Sequence, residues 1–249
     1  MLFFQGQFLL FMIVVLLVSA ACMSSVRARA AILLIASYLF YAAWDPRFLL
    51  LIYGSTMIDF LVARRMPGAD PRQKKRLLTI SLIVNLGSLA LFKYADFGIA
   101  SFNALLGTEL PLIELTLPVG ISFFTFQSMS YTIDVYRGRL PPERDFTIFA
   151  LFVAFFPQLV AGPIIRAADF LAQARSALRR TVTRAWIAAP LFVFGLFKKV
   201  VIADRLGPIV DAVFADPAAF SSGDRWLATL AFAGQIYCDF SGYTDMALA

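Results

Sequence analysis

Two stretches of this sequence hold residue types able to do chemistry in an apolar setting. The first is Phe155-Phe156-Pro157-Gln158-Leu159-Val160-Ala161-Gly162-Pro163-Ile164-Ile165-Arg166. Pro157 and Pro163 each remove a backbone donor, and Gly162 loosens the chain between them. Gln158 brings an amide into surroundings of membrane-grade apolarity, where it needs partners, and Arg166 closes the stretch with a guanidinium. Broken backbone at membrane depth persists only where it is buried in protein or lines a wet cavity. The segment reads either as the border of an internal passage or as a kinked core helix with no substrate nearby.

The second stretch is Asp239-Phe240-Ser241-Gly242-Tyr243-Thr244-Asp245. It sets two carboxylates, two hydroxyls and a phenol inside or beside a hydrophobic run. Placing Asp at a helix centre costs roughly 2.5–3.5 kcal/mol on insertion scales, so the cluster must face a cavity or another chain segment. Asp239, Ser241, Tyr243 and Asp245 line a channel on one reading and form a hydrogen-bond network joining helices on the other. Asp59 and Asp134 lie near segment ends beside Arg64 and Arg137, where interfacial ion pairing accounts for both.

Much chemistry is excluded by what is missing. The 249 residues include no histidine, which removes the usual general base, the usual metal ligand and any Ser–His or Cys–His pair. The two cysteines, Cys22 and Cys238, lie far apart in apolar segments and read as buried thiols. No phosphate-cradling or dinucleotide-type glycine loop occurs. The expectation is no metal and no bound cofactor.

The elements that must position these residues are membrane helices. Hydrophobic residues make up 60% of the chain and charged residues 15%, against roughly 25% charged in soluble domains. The net charge of +6 sits between apolar runs, as cytoplasmic loops require, which argues for a lipid bilayer and against nucleic acid as the partner. Residues 8–23 form a first apolar segment preceding Arg27 and Arg29, with no Lys or Arg before it, so an uncleaved anchor with the N-terminus outside is expected. Residues 30–44 run outward to Asp45-Pro46, and 48–63 return to Arg64 and Arg65. Residues 66–76 read as a basic, turn-rich cytoplasmic loop, 77–92 as an outward span and 93–111 as a mixed outer interface. Residues 117–136 cross inward to Arg137, Arg139 and Arg144. Residues 146–165 read as a re-entrant hairpin bent at 157–163, and 167–178 as a short amphipathic helix in the interface. Residues 186–197, interrupted by Pro190 and Gly195 and capped by Lys198 and Lys199, form a second broken element. Residues 204–225 look linker-like, and 226–249 make the last segment. The expected fold is an all-α polytopic membrane protein, a single membrane domain over residues 1–249, with about 6–8 membrane helices including broken or re-entrant segments. No internal repeat is visible.

Four motifs in order carry a family resemblance: Leu117-Pro118-Val119-Gly120-Ile121-Ser122-Phe123-Phe124-Thr125-Phe126-Gln127, Tyr131-Thr132-Ile133-Asp134-Val135-Tyr136-Arg137-Gly138, the stretch from Phe155 to Arg166, and Asp239-Phe240-Ser241-Gly242-Tyr243-Thr244-Asp245-Met246. Together they resemble the membrane-bound O-acyltransferase family, in particular its alginate O-acetylation branch. The resemblance implies a multi-helix fold with funnels from both faces meeting at a thin centre. It also implies an acyl group, acetyl above all, passed from a cytoplasmic donor to hydroxyls of an extracytoplasmic polysaccharide, directly or through an accessory transferase, in a bacterial inner membrane. Family members are roughly twice this long, and their catalytic histidine lies beyond the fourth motif. The chain thus reads as the N-terminal half of such an enzyme, incomplete at Ala249, with no catalytic residue to carry over. Gln158, Pro163, Arg166, Asp239, Ser241, Tyr243 and Asp245 remain as channel-lining or structural candidates. Two other classes stay open. A transporter or flippase also builds sites from broken helices but predicts an inverted repeat. A non-catalytic scaffold is favoured by the lack of histidine if 249 residues is the mature length.

Overall fold

Long apolar runs, punctuated by residues that cap helices, give α-helices throughout. The computed structural model describes residues 6–22, 25–159, 162, 165–176 and 185–249, and no strand occurs among them. Helix α1 is Gly6–Ala21. Helix α2, Val26–Ala42, starts where the Ser25 hydroxyl accepts from the Ala28 amide. Arg47 then donates to both oxygens of Asp45 at 2.6–3.0 Å. That hydrogen bond holds the Asp45 carboxyl below its ordinary range and closes the turn into α3, Phe48–Arg65. Asp70 caps α4 through the Gln73 amide, with Pro71 in the first turn, where its missing N–H costs nothing. The helix runs 36 residues, Pro71–Leu106, and stops at Gly107 in the left-handed region.

Helix α4 corrects two expectations. The basic loop is shorter than 66–76, because Pro71 to Arg76 already belong to the helix. The mixed interface of 93–111 is helical as far as Leu106, and only the stretch beyond it is loop. Asn103 fixes that loop by accepting from the Leu110 amide and donating to the Leu110 carbonyl, and Asp96 accepts from the Ile113 amide. Likewise the expected 117–136 helix starts late: α5 spans Ile121–Tyr136, after Gly120 at φ 74°. Tyr41 of α2 donates to the Val119 carbonyl and ties the irregular entry down.

Helix α6, Phe146–Ala154, is capped by Asp145 and stops at Phe155. At nine residues it is about 13 Å long, too short to cross a bilayer alone. It sits at the centre of the apolar core, with every residue from Ile148 to Ala154 buried. Phe149 packs 4.5 Å from the Tyr131 ring and 5.9 Å from Phe60. A single turn, α7, Phe156–Leu159, follows the break, and α8 is Ala167–Arg175.

Past residue 184 come α9, Ala185–Phe197, a π-helical stretch Lys198–Ala203, and α10, Asp204–Ala215. A 3₁₀ turn, Pro217–Ala219, leads to α11, Ser222–Leu248, opened by a reciprocal Ser221–Asp224 capping box. Here the lysines do not end the helix as expected. The chain stays helical through them, widened by the π-stretch, and half of the supposed linker is α10.

Two helical runs, Pro71–Leu106 and Trp186–Ala215, are long and apolar enough to cross a membrane, and Gly6–Ala21 is a shorter apolar helix. Only 11% of the most apolar window of either long run is buried, unlike the covered core helix of a soluble domain. The described chain groups into two compact units, residues 6–16, 162 and 185–249 in one and 17–22, 25–159 and 165–176 in the other.

Candidate functional site

In the larger unit the chemistry centres on the break after α6. Phe155, at ψ 110°, turns the chain out of the helix. The Phe156 amide, which would have continued the ladder, donates instead to the Ser37 hydroxyl of α2 at 3.2 Å. The Phe152 carbonyl that it abandons accepts from two glutamines, Gln127 Nε2 at 2.5 Å and Gln158 Nε2 at 3.0 Å. Both glutamines are only 3% exposed. The broken backbone is therefore satisfied by side chains, as burial away from water requires. Gln158 Oε1 is left buried without a hydrogen-bond partner, a free acceptor beside the break.

A second polar knot lies among α3, α4 and α5. Asp59, fully buried, accepts from the Ser81 hydroxyl at 2.5 Å, from Asn85 Nδ2 at 3.0 and 2.8 Å, and from the Ser128 hydroxyl. The expected pairing with Arg64 is not made: Arg64 lies 5.4 Å over the Phe60 ring, and Asp59 is held by neutral donors. Asp134 pairs with Arg139 at 4.0 Å in place of Arg137. Glu143, 1% exposed, binds Arg175 of α8 at 2.6 Å while its backbone amide donates to the Tyr131 hydroxyl. That hydrogen bond from Arg175 raises the guanidinium above its ordinary value, and it pins α8 to the loop before α6.

In the smaller unit, α11 and the π-stretch are crosslinked by charge. Lys198 Nζ meets Asp245 at 2.6 Å, and Lys199 Nζ meets Asp239 at 2.5 Å and Asp204 at 2.8 Å. The lysines also lie 4.6 Å over the Phe194 ring and 5.5 Å from the Tyr243 ring. Close helix approach makes this possible. A Cβ built on Gly195 would stand 2.6 Å from the Gly242 carbonyl oxygen, and one on Gly242 would stand 2.7 Å from the Gly195 oxygen. Ser241 Oγ is buried without a partner next to this contact.

The sequence-derived candidates thus fall into two groups. Gln158 and Arg166 belong to the larger unit, where Arg166 occupies the N-cap of α8 in extended conformation. Asp239, Tyr243 and Asp245 come together in the smaller unit around the two lysines, and Ser241, on the same helix, keeps its hydroxyl buried without a hydrogen-bond partner. Pro163 lies outside the described residues. Sequence reading missed the lysines as partners and the Asp59 knot. The spacing of Ser81 and Asn85, one turn apart on an apolar helix, was the available signal for the knot. Among the described residues no three of His, Cys, Asp or Glu are placed to hold a metal ion.

No family model matches the chain. Individual proteins do. It is 42% identical over 254 residues to a probable alginate O-acetylase AlgI of Azotobacter vinelandii, covering 98% of the chain and 50% of that protein. It is 40% identical over 253 residues to the probable alginate O-acetylase AlgI of Pseudomonas aeruginosa, covering 98% and 48%. A peptidoglycan O-acetyltransferase of Helicobacter pylori is 37% identical over 243 residues, covering 87% and 46%. The chain spans about half the length of the curated relatives it matches.

Proposed function

From the premise that this chain belongs to the membrane-bound O-acyltransferase family, we propose that the full-length protein moves an acyl group, acetyl above all, from a cytoplasmic donor to hydroxyls of an extracytoplasmic polysaccharide such as alginate. The observation that carries this reading is the 42% identity to an alginate O-acetylase over 98% of the chain. The lack of histidine in 249 residues fits a catalytic base supplied by the part of the relatives' length that this chain does not span. Residues 1–249 are then the N-terminal part of one membrane domain. They contribute about 6–8 membrane segments, some broken, to a bacterial inner-membrane protein whose N-terminus lies outside.

Within that reading the α6 break has a use. A backbone interrupted at Phe155 and satisfied by Gln127 and Gln158 borders a passage without exposing bare carbonyls to lipid, and Gln158 Oε1 supplies an acceptor there. Within their own unit the lysine–aspartate pairs hold α11 against the π-stretch that follows α9. An accessory transferase and the acyl donor complete the reaction from either side of the bilayer.

The deciding experiment restores the full-length gene to a strain deleted for its alginate O-acetylase and measures polymer acetyl content by NMR. Acetyl groups return if the reading holds, and polymer that stays unacetylated while the protein is present in the membrane overturns it. Sidedness is checked separately. A cysteine at Gly68, in the basic loop before α4, stays protected from an impermeant thiol reagent in intact cells. Free labelling there reverses the assigned orientation.

A further inference from the structure

One face of α4 changes character along its length. Arg72, Lys75 and Arg76 line an exposed hollow with Thr79 and Ile80. Ile83 and Leu86 continue the same stripe, 66% and 43% exposed, because positions three and four apart share a helix face. The opposite face, with Ser81, Asn85 and Leu89, is buried, so the stripe is the helix's free side. Among the described residues none of the three cations has a carboxylate partner, since the nearby Asp70 is used as the helix cap. From Arg76 to Leu86 the helix rises about 15 Å, the depth of one leaflet's hydrocarbon.

A row of cations, then a hydroxyl, then branched aliphatic side chains follows the order of phosphate, ester and acyl chain in a phospholipid. We infer that this stripe binds an anionic phospholipid, with the phosphate held by Arg72, Lys75 and Arg76 and an acyl chain laid along Ile80, Ile83 and Leu86. Clustered Lys and Arg at a membrane boundary attract anionic headgroups by about 1 kcal/mol for each cation near the surface. The inference rests on α4 crossing a bilayer and needs neither the direction of crossing nor any acyl transfer.

The test is the thermal unfolding midpoint of the purified full-length protein in neutral detergent, titrated with phosphatidylglycerol, phosphatidylcholine or inorganic phosphate. Phosphatidylglycerol alone gives a saturable rise. The double variant Lys75→Gln/Arg76→Gln weakens the apparent affinity about thirtyfold, whereas Lys75→Arg/Arg76→Lys, which keeps both charges, leaves it in place. Arg137→Gln/Arg144→Gln removes two cations elsewhere on the surface and also leaves it in place. No rise, an equal rise with phosphatidylcholine, or an equal loss in the Arg137/Arg144 variant overturns the assignment. A response to inorganic phosphate matching that to the lipid overturns it in favour of a free-anion site.

Discussion

Asp59 is a fully buried carboxylate that pairs with no cation among the described residues, and its placement is tolerable because three neutral side chains donate to it. Each comes from a different position on a neighbouring helix: Ser81 and Asn85 from α4, Ser128 from α5. The carboxylate therefore acts as the acceptor that fixes the rotation of three helices at once. Asp59→Asn keeps the shape but sets an amide N–H against Asn85 Nδ2, which donates to both Asp59 oxygens and cannot accept. A loss of about 2 kcal/mol is expected, read as a lower thermal unfolding midpoint of the full-length protein in detergent. An unchanged midpoint would mean that the donors find other acceptors. Gln158 belongs to the same logic, since its amide closes the carbonyl that the α6 break leaves open. Its candidacy as a channel-lining residue now rests on the one oxygen it does not use.

At the level of elements, glycines decide which helices touch. Gly195 in α9 and Gly242 in α11 let two backbones approach until a Cβ on either would overlap the other's carbonyl oxygen. Only at that separation do Lys198 and Lys199 reach Asp245 and Asp239. Gly195→Ala is expected to push α9 from α11 and lower stability by about 1–3 kcal/mol, the usual cost of overpacking. Gly54→Ala in α3 is the matched control. Nothing lies within 4 Å of a Cβ built there, and alanine is the better helix former by about 1 kcal/mol, so stability is retained or gains slightly. Parallel melts of the two variants check this, and equal losses would show that the α9–α11 contact is not tight.

For the whole molecule, the question is what residues 1–249 can do by themselves. A sugar hydroxyl attacks an acyl donor at neutral pH only with a positioned base, and such a base typically supplies about 10²–10⁴-fold. This chain has no histidine, and Asp239 and Asp245 are each engaged by a lysine. Residues 1–249 reconstituted alone with acyl donor, acceptor and accessory transferase are therefore expected to give no transfer above background. Transfer that disappears on Asp239→Asn or Asp245→Asn would make a carboxylate the base and remove the need for any other part of the protein.

Apolar composition and breakers made the helical class legible in the sequence, because a breaker acts within a turn of its own position. Ser25, Asp70, Asp145 and Ser221 start helices by local hydrogen bonds. Residues that cannot continue a ladder placed the bend at 157–163, whereas α6 already stops at Phe155 and Pro157 lies inside α7. The family, too, was legible, since four short motifs keep their order along the chain. Pairing of polar groups was not legible. Asp59 stands five residues from Arg64 and was expected to bond it, yet a helix turns its neighbours to different faces, and the carboxylate points to Ser81, Asn85 and Ser128. Lys198 and Lys199 looked like a helix end because charge normally marks the membrane boundary. They are interior to a continuing helix because aspartates 47 and 40 positions away in sequence meet them in space. Sequence thus determined which residues are polar in an apolar chain. Tertiary structure alone decided which of them neutralise one another, since that depends on the rotation and separation of packed helices, and Gly195 and Gly242 set the separation.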